Sequence, residues 1–211
     1  MRNRTENQMM LAFIRHGETQ ANAKRRYLGK TDESLSEHGR QLLLSYREKE
    51  LYPQADYLFT SPMKRCVETA EILYPTLKPV IIPEWEEIDF GRFEYHSYDE
   101  LKDDAAYRQW IDSGGTMTFP GGESREAFGE RCEDGFQRMC EMLQCARKNM
   151  LSENTTESVR AAAIVHGGTI MALLSSHGRR EWHKGYFDYQ AANGRGYLCR
   201  IEGRITEILE I

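Results

Sequence analysis

The chain has 211 residues, of which 40% are hydrophobic and 29% charged, and its formal net charge is −5. This length favours a single α/β domain over residues 1–211, and no apolar run reaches the roughly 20 residues that cross a bilayer, so we expect no membrane contact. Dispersed Lys and Arg residues in an acidic chain also argue against a nucleic-acid partner.

The N-terminal segment carries Arg2 and Arg4, and an apolar run follows at positions 9–14. This run is too short for the apolar region of a secretion signal, and no small-residue cleavage site follows it. We therefore predict a cytoplasmic protein. The five cysteines form no CxxC pair, which indicates neither a disulfide framework nor a thiolate zinc site, so we expect reduced cysteines in the core.

Two continuous apolar runs predict strands that are buried on both faces of a sheet. The first covers residues 9–14 and leads into Arg15-His16-Gly17. The second covers residues 160–165 and leads into His166-Gly167-Gly168, after which an apolar helix is predicted over 169–176. In both places a histidine therefore follows a buried strand.

Between these runs the pattern predicts shorter strands and amphipathic helices. Residues 56–60 predict a strand, and Ser61-Pro62 predicts a helix start with Ser as the cap and Pro in the first position. Residues 79–83 predict a third strand. A capping box of Ser97 and Glu100 predicts a helix that continues through about Ile111.

The C-terminal half predicts a long scaffold helix from Ser124 and a terminal hairpin of strands 197–201 and 205–211. Strands that alternate with helices predict a three-layer α/β/α sandwich with a mostly parallel central sheet. Ligands of such sheets bind outside the carboxyl ends of the strands. The turns at His16 and His166 are therefore expected to share one sheet edge.

A lone histidine at a strand end is more often structural than catalytic, but here the neighbouring residues change that estimate. Arg15 places a permanent cation beside His16, and Gly17 lets the backbone approach a ligand closely. Arg65 falls in the first turn of the predicted second helix, whose amino end would add free N–H groups for an anion. Two arginine forks match the oxygens of a phosphate.

Phosphoryl transfer through an imidazole also needs a proton donor. The attacking nitrogen must be unprotonated, whereas an alkoxide leaves readily only when an acid protonates it. One acidic segment supplies the candidates, and residue chemistry alone does not choose among them. They are Glu84, Glu86, Glu87 and Asp89.

Segments spread in order along nearly the whole chain resemble the histidine phosphatase superfamily, in its phosphoglycerate-mutase-like branch. The matching segments are 15–22, 27–41, 60–70, 87–91, 120–124 and 165–168. The resemblance implies that His16 attacks phosphorus and that Glu87 protonates the leaving group. It also implies a set that holds the phosphoryl group and substrate, namely Arg15, Asn22, Gly29, Arg65, His166 and Gly167.

The function implied by the resemblance is that of a phosphomonoesterase, which cleaves a small phosphorylated metabolite through a phosphohistidine without a metal or cofactor. No HxH, HExxH or carboxylate-histidine cluster accompanies the motifs, and the two arginines replace the charge of a metal. The other histidines match no motif, although His96 lies in a segment expected to border the pocket. Phe93 and Tyr95 stand where the family has Trp and Gly, so we expect a bulkier pocket wall.

Two alternatives to a phosphatase remain, a phosphoglycerate-type mutase and a regulatory module that binds phosphate without turnover. The long insertions of true mutases are missing, which favours net hydrolysis, and a pure binding module would not need a placed acid. Chain length and the segments 29–32 and 121–124 look most like bacterial α-ribazole-phosphate phosphatases, which act late in cobalamin nucleotide-loop assembly.

Overall fold

The two apolar runs form neighbouring parallel strands at the centre of the sheet. The computed structural model describes residues 9–152, 158–177, 185–202 and 204–211. In it, β1 (Met9–Arg15) pairs in parallel with β4 (Val159–Val165), and Arg15 lies opposite Val165. This register brings His16 and His166 to the same sheet edge, as the sequence predicts.

Four further strands complete a six-stranded sheet in the order β3-β2-β4-β1-β5-β6. The strands β2 (Tyr57–Thr60) and β3 (Val80–Ile81) extend the parallel part beyond β4. The predicted terminal hairpin, β5 (Gly196–Ile201) and β6 (Ile205–Glu210), adds two antiparallel strands beside β1. The sheet is therefore mixed but mostly parallel.

Helices cover both faces of this sheet, which confirms the predicted α/β/α layering. On one face, α2 (Glu37–Glu48) and α3 (Lys64–Leu73) pack over the core that contains Ala12 and Ile14. On the other, α6 (Arg125–Ser152) and α7 (Gly167–His177) cover the core that contains Phe13. Three shorter helices lie between the main elements: α1 (Gln20–Ala23), α4 (Tyr98–Leu101) and α5 (Ala105–Asp112).

The predicted start of α3 is wrong by two residues. The helix begins at Lys64 after an N-cap at Met63, so Ser61 is not its cap and Pro62 is not its first residue. The Ser61 hydroxyl instead forms a 2.7 Å hydrogen bond with Nε2 of His166. The Ser61 oxygen also accepts from the Met63 N–H at 3.4 Å, so the hydroxyl connects the turn before α3 to a residue 105 positions away and does not cap a helix N–H.

The Ser97–Glu100 capping box is present, but the helix it starts ends at Leu101 rather than near Ile111. Asp104 begins a separate helix, because its carboxylate accepts hydrogen bonds from the N–H groups of Ala106 and Tyr107. The third predicted strand is reduced to Val80–Ile81, since a 3₁₀ turn already starts at Pro83.

The cysteine prediction holds for four residues and fails for one. Cys66, Cys132, Cys140 and Cys199 are buried free thiols, whereas Cys145 is exposed on α6. None of the helices in the described part of the chain combines the length and the hydropathy needed to cross a membrane.

Candidate active site

A cavity of about 380 Å³ opens at the carboxyl ends of β1 and β4, and His16 forms part of its wall. The His16 ring is 3% exposed, and its Nδ1 lies 2.7 Å from the carbonyl oxygen of Gly17. Because a carbonyl oxygen only accepts hydrogen bonds, Nδ1 carries the proton. The lone pair of the neutral ring is therefore on Nε2, for which no hydrogen-bond partner occurs among the described residues.

The surroundings of His16 keep this ring neutral. Burial lowers its pKa well below the usual histidine value, and the nearby guanidinium groups of Arg65 and Arg15 lower it further. The hydrogen bond with the Gly17 carbonyl raises the pKa of His16, but by less than burial and the two arginines lower it. An imidazole with an available nitrogen is thus maintained beside two permanent cations, which is the state required of a nucleophile.

The two arginines are held by backbone carbonyl groups rather than by carboxylates. Arg65 is fully buried and donates to the carbonyl oxygens of Gly29 and Thr31, at 2.8 and 3.0 Å. Arg15 donates to the Ala191 carbonyl at 2.8 Å. No carboxylate in the described ranges forms an ion pair with either arginine, so their positive charge is left for an anion in the site.

Glu87 is the one carboxyl group of the predicted acidic segment that lies in the inner part of the cavity wall. It is 8% exposed, and its oxygens accept hydrogen bonds from the N–H groups of Ile88 at 3.0 Å and Gly168 at 3.3 Å. Burial raises its pKa, outweighing the opposite effects of these bonds and of Arg65 and Arg15. The protonated form that a general acid needs is favoured.

Glycine is required at position 168 for this arrangement. A Cβ atom there would lie 2.3 Å from Oε1 of Glu87 and 3.1 Å from its carboxyl carbon. The first turn of α7 therefore presents both a free N–H and the space for the carboxyl group. The Gly167-Gly168 pair of the sequence motif thus shapes the position of Glu87.

His166 lies behind His16 rather than in the cavity wall. Its ring is fully buried, packs edge-on against His16 at a centroid distance of 5.3 Å, and bonds through Nε2 to Ser61. Burial and the charge of Arg65 lower its pKa well below the usual histidine value. Direct contact of His166 with a phosphoryl group remains a prediction.

The other expected binding residues divide into those that face the cavity and those that support it. Asn22 and Gly167 belong to the cavity wall. Gly29 instead supports Arg65. Its carbonyl oxygen accepts a hydrogen bond from the Arg65 guanidinium, and its N–H donates to the Glu94 carboxylate. A Cβ at Gly29 would lie 2.1 Å from the Ile88 carbonyl oxygen, so a larger residue would displace the acid segment.

The amino end of α3 does not offer the expected free N–H at its first residue. The Lys64 N–H donates to the Asp32 carboxylate at 2.8 Å. A side-chain anion of the chain already occupies this position, which a helix dipole also favours. That a bound phosphate is held by the following N–H groups of this helix end stays a prediction, and α3 also contributes the guanidinium of Arg65.

The outer part of the cavity is built by residues that the sequence reasoning missed. It is mainly aromatic and includes Arg125, and we call it the outer wall; Arg26 also lines the cavity. The members of the outer wall are Tyr27, Phe90, Trp110, Phe119, Arg125, Tyr186 and Phe187. The Arg125 guanidinium lies over the Tyr186 ring, 4.9 Å from its centroid, and Trp110 packs against Phe119 at 4.9 Å. We call Arg15, His16, Arg65, Glu87 and His166 the inner site.

Tyr95 does not form the bulkier pocket wall that the sequence predicts. It is 37% exposed, and its backbone φ of 62° lies in the left-handed region that favours glycine. The strained position is held by a hydrogen bond from the Tyr95 hydroxyl to Glu33 and by Arg26, which donates to the Tyr95 carbonyl and covers its ring. His96 is also exposed and is not part of the cavity wall.

The inner site contains each group that phosphoryl transfer requires: a neutral imidazole with a free nitrogen, two guanidinium cations and a carboxyl group of raised pKa. Over residues 9–152, 158–177, 185–202 and 204–211, no three His, Cys, Asp or Glu side chains are grouped so as to hold a metal ion.

Comparison with known proteins finds a matching family model and related sequences. The family model for the histidine phosphatase superfamily, branch 1, matches residues 11–204. A protein named probable phosphoglycerate mutase GpmB from Klebsiella pneumoniae (strain 342) is 28% identical over 148 residues, which cover 68% of this chain and 69% of the relative.

Two solved structures share the fold over almost the full length. A putative α-ribazole-5'-P phosphatase from Escherichia coli str. K-12 substr. MG1655 superposes with a TM-score of 0.76 at 23% identity, covering 96% of each chain. A phosphoglycerate mutase from Thermus thermophilus gives a TM-score of 0.66 at 27% identity, covering 96% of this chain and 99% of the other.

Proposed function

Since the chain belongs to branch 1 of the histidine phosphatase superfamily, we propose that it is a metal-independent phosphomonoesterase with a phosphohistidine intermediate. The observation that carries the proposal is the state of His16. Its Nδ1 proton is held by Gly17, its Nε2 is unpartnered within the described structure, and its pKa is lowered by burial and two arginines.

In the first step, Nε2 of His16 attacks the phosphorus and the bond from phosphorus to the ester oxygen breaks. The leaving oxygen takes the proton of Glu87, so an alcohol departs and Glu87 becomes a carboxylate. Arg15 and Arg65 bind the phosphoryl oxygens, where negative charge is concentrated in the transition state. His166 supports the ring of His16 and the phosphoryl group from behind.

In the second step, water attacks the phosphorus and the bond to Nε2 breaks. The Glu87 carboxylate accepts the proton of this water, which restores the acid for the next cycle. Inorganic phosphate and neutral His16 are the products. One carboxyl group thus serves as acid and then as base, so a raised pKa suits both steps.

We propose that the substrate is a small metabolite with a flat ring near its phosphate, and that α-ribazole 5'-phosphate is the first compound to test. The outer wall supports this class, because Tyr27, Trp110 and Phe119 offer aromatic surface beside the inner site. The α-ribazole phosphatase neighbour, at 23% identity, is evidence for the fold only.

A phosphoryl isomerase is the second candidate, because relatives at 28% identity are named probable phosphoglycerate mutases. The two activities share the inner site and differ in the acceptor of the phosphoryl group. Water accepts it in a phosphatase, whereas a second hydroxyl of the same substrate class accepts it in a mutase.

The test is a panel of phosphorylated metabolites that includes α-ribazole 5'-phosphate, sugar phosphates, benzyl phosphate and both phosphoglycerate isomers. We expect stoichiometric release of inorganic phosphate, with the highest kcat/KM for compounds that carry an aromatic ring. Interconversion of the phosphoglycerates without phosphate release would establish the mutase instead. Binding of phosphate with neither reaction would establish the regulatory module.

A further inference from the structure

Two side chains outside the cavity hold the segment that carries Glu87. Arg131, on α6, donates from one terminal nitrogen to the carbonyl oxygens of Glu84 and Glu86, at 2.7 and 2.8 Å. Its other two nitrogens form a fork with the Glu123 carboxylate, at 3.1 and 2.8 Å. Two of the four hydrogen bonds from this planar group therefore hold the backbone on the N-terminal side of Glu87, and the other two orient the group against Glu123.

Glu123 extends the same support to the C-terminal side of Glu87. Its backbone N–H donates to the Asp89 carbonyl at 2.9 Å, and its carboxylate accepts from the Asp89 N–H at 3.4 Å. Both side chains are largely shielded, with 28% of Arg131 and 19% of Glu123 exposed. This environment weakens the competition from water that an exposed ion pair would meet.

We propose that Arg131 and Glu123 position the Glu87 carboxyl group so that it can protonate the leaving oxygen, and we call this pair the bracket. This inference rests on the proposed function, in which Glu87 is the general acid. Neither residue touches the reacting atoms. The bracket acts through the backbone on both sides of Glu87, from Glu84 to Asp89.

The position of Glu87 needs such support because its own contacts are few. Besides the N–H of its neighbour Ile88, its carboxyl group is held by the Gly168 N–H at 3.3 Å, a long hydrogen bond. The hydrophobic anchor of the segment, Trp85, is fully buried and donates to the Cys132 carbonyl, but it lies two residues away. Trp85 determines where the segment packs against α6, and Arg131 determines the position of the backbone next to Glu87 and thus how far its carboxyl group extends into the cavity.

The experiment compares two phosphate esters of similar shape on Arg131→Gln. Benzyl phosphate has a poor leaving group and needs the acid, whereas p-nitrophenyl phosphate departs with little protonation. We expect kcat/KM for benzyl phosphate to fall about 10- to 100-fold and kcat/KM for p-nitrophenyl phosphate to fall less than about threefold. The constant compared for every variant in this experiment is kcat/KM, because the second step, in which Glu87 is the base, is the same for both substrates and contributes only to kcat. An equal fall for both substrates would overturn the bracket, because a general loss of structure has no leaving-group dependence.

Arg138→Gln is the matched control. Arg138 lies on the same helix and binds the same segment, but through the Glu84 side chain at 3.0 Å rather than through backbone carbonyls. We expect both substrates to react within about twofold of the wild-type rate, since an exposed ion pair contributes little. A benzyl-selective loss as large as that of Arg131→Gln would overturn the proposal that the backbone contacts matter.

A double variant separates the bracket from the acid itself. If Arg131 acts only through Glu87, then Glu87→Gln combined with Arg131→Gln hydrolyses benzyl phosphate within about twofold of Glu87→Gln alone. A full additional loss would show that Arg131 has another role and overturn the bracket. A Glu87→Gln variant that slows both substrates equally would instead refute the acid assigned under the proposed function, whatever Arg131→Gln does.

Turnover of p-nitrophenyl phosphate also reports whether each variant folds. Should Arg131→Gln be unfolded, Arg131→Lys serves in its place, because Lys keeps the charge facing Glu123 but lacks the planar fork. The same benzyl-selective fall is then expected, and near-normal kinetics with both substrates would overturn the proposal.

Discussion

The inner site and the outer wall meet at one cavity, which Arg15, His16 and Glu87 line directly while Arg65 and His166 lie buried behind its wall. The fold builds the two regions in different ways. His16 and His166 directly follow β1 and β4, and Arg65 lies in the first turn of α3, so the inner site is held by the central layer. The outer wall is assembled from segments around Tyr27, Trp110 and Tyr186 that are distant in the chain. Most of the inner site thus lies at strand ends or at the start of α3, whereas Glu87 lies in a connecting segment. The outer wall combines connecting segments with Trp110 on α5 and Arg125 on α6.

This difference predicts two kinds of kinetic defect. Substitutions in the inner site remove interactions made in the transition state, so they lower kcat for every substrate that needs them. Substitutions in the outer wall remove contacts with the part of the substrate that does not react, so they raise KM and depend on the substrate.

The largest expected effect is that of His16→Ala. Loss of the nucleophile is expected to lower kcat more than about 1,000-fold, because no intermediate forms. A phosphoramidate bond to imidazole is stable in base and labile in acid. Wild-type protein quenched into alkali with ³²P-labelled substrate should therefore retain label that acid releases, and His16→Ala should retain none. Label that persists on His16→Ala would move the nucleophile elsewhere, with His166 the first residue to examine.

Arg65→Lys is expected to have the next largest effect, a fall in kcat of about 100- to 1,000-fold. The Lys ammonium keeps the charge but does not span the carbonyls of Gly29 and Thr31 while also binding phosphoryl oxygens in a planar fork. The melting temperature tells a catalytic effect from a structural one. Near-normal kcat in a stable variant would mean that Arg65 only joins α3 to the loop beneath it.

The contrast between the two regions also explains what the sequence predicts. The inner site is predictable because strand-end motifs such as Arg15-His16-Gly17 combine local geometry with chemistry. The outer wall is not, because Trp110 and Arg125 occur in ordinary amphipathic patterns, and their common orientation depends on how α5 and α6 pack. Tyr27 and Phe90 lie within the matching segments 27–41 and 87–91, and this was the available signal for assigning them to the cavity.

Two of the wrong local predictions arise from contacts between distant segments, and the third arises from a local helix cap. Ser61 has the residue type of a helix cap, but its hydroxyl bonds to His166. Asp104 interrupts a continuous helical pattern because it caps a new helix. Tyr95 stands in a backbone conformation that favours glycine, and the contacts with Glu33 and Arg26 that stabilise it join distant segments. Long-range contacts decided the cases of Ser61 and Tyr95, and one sequence does not report them.

The pH dependence gives a smaller test of the inner site. Burial raises the pKa of Glu87, so hydrolysis of benzyl phosphate is expected to decline only when the pH rises through that raised value, where the acid loses its proton. Burial and the two arginines lower the pKa of His16, so activity is expected to persist below the usual histidine range. Glu87→Gln should remove the alkaline decline. If this decline survives in Glu87→Gln, it belongs to another group and Glu87 is not the acid.

Phe187→Ala tests the outer wall at a position where the fold is little affected, because the ring is 56% exposed and packs on Tyr186. We expect KM for ring-bearing substrates to rise about 3- to 10-fold with kcat unchanged, the loss of one aromatic contact. Leu209→Ala, an equally exposed apolar residue on β6, is the control and should leave KM unchanged. A fall in kcat for Phe187→Ala would contradict the claim that the outer wall contributes to substrate binding and not to the chemical step.

The smallest expected effect is that of metal removal, which should alter neither the chemistry at the inner site nor substrate binding at the outer wall. The inner site needs fixed positive charge at the phosphoryl oxygens, and Arg15 and Arg65 supply it without carboxylate partners among the residues described. A chelator such as EDTA should therefore leave kcat and KM unaltered, because guanidinium groups are not removable ligands. The measurement is turnover before and after dialysis against EDTA, followed by addition of Mg²⁺, Mn²⁺ or Zn²⁺. Activity that is lost and then restored by one of these ions would assign the transition-state charge to a metal, and the two arginines would then position the substrate rather than stabilise its reaction.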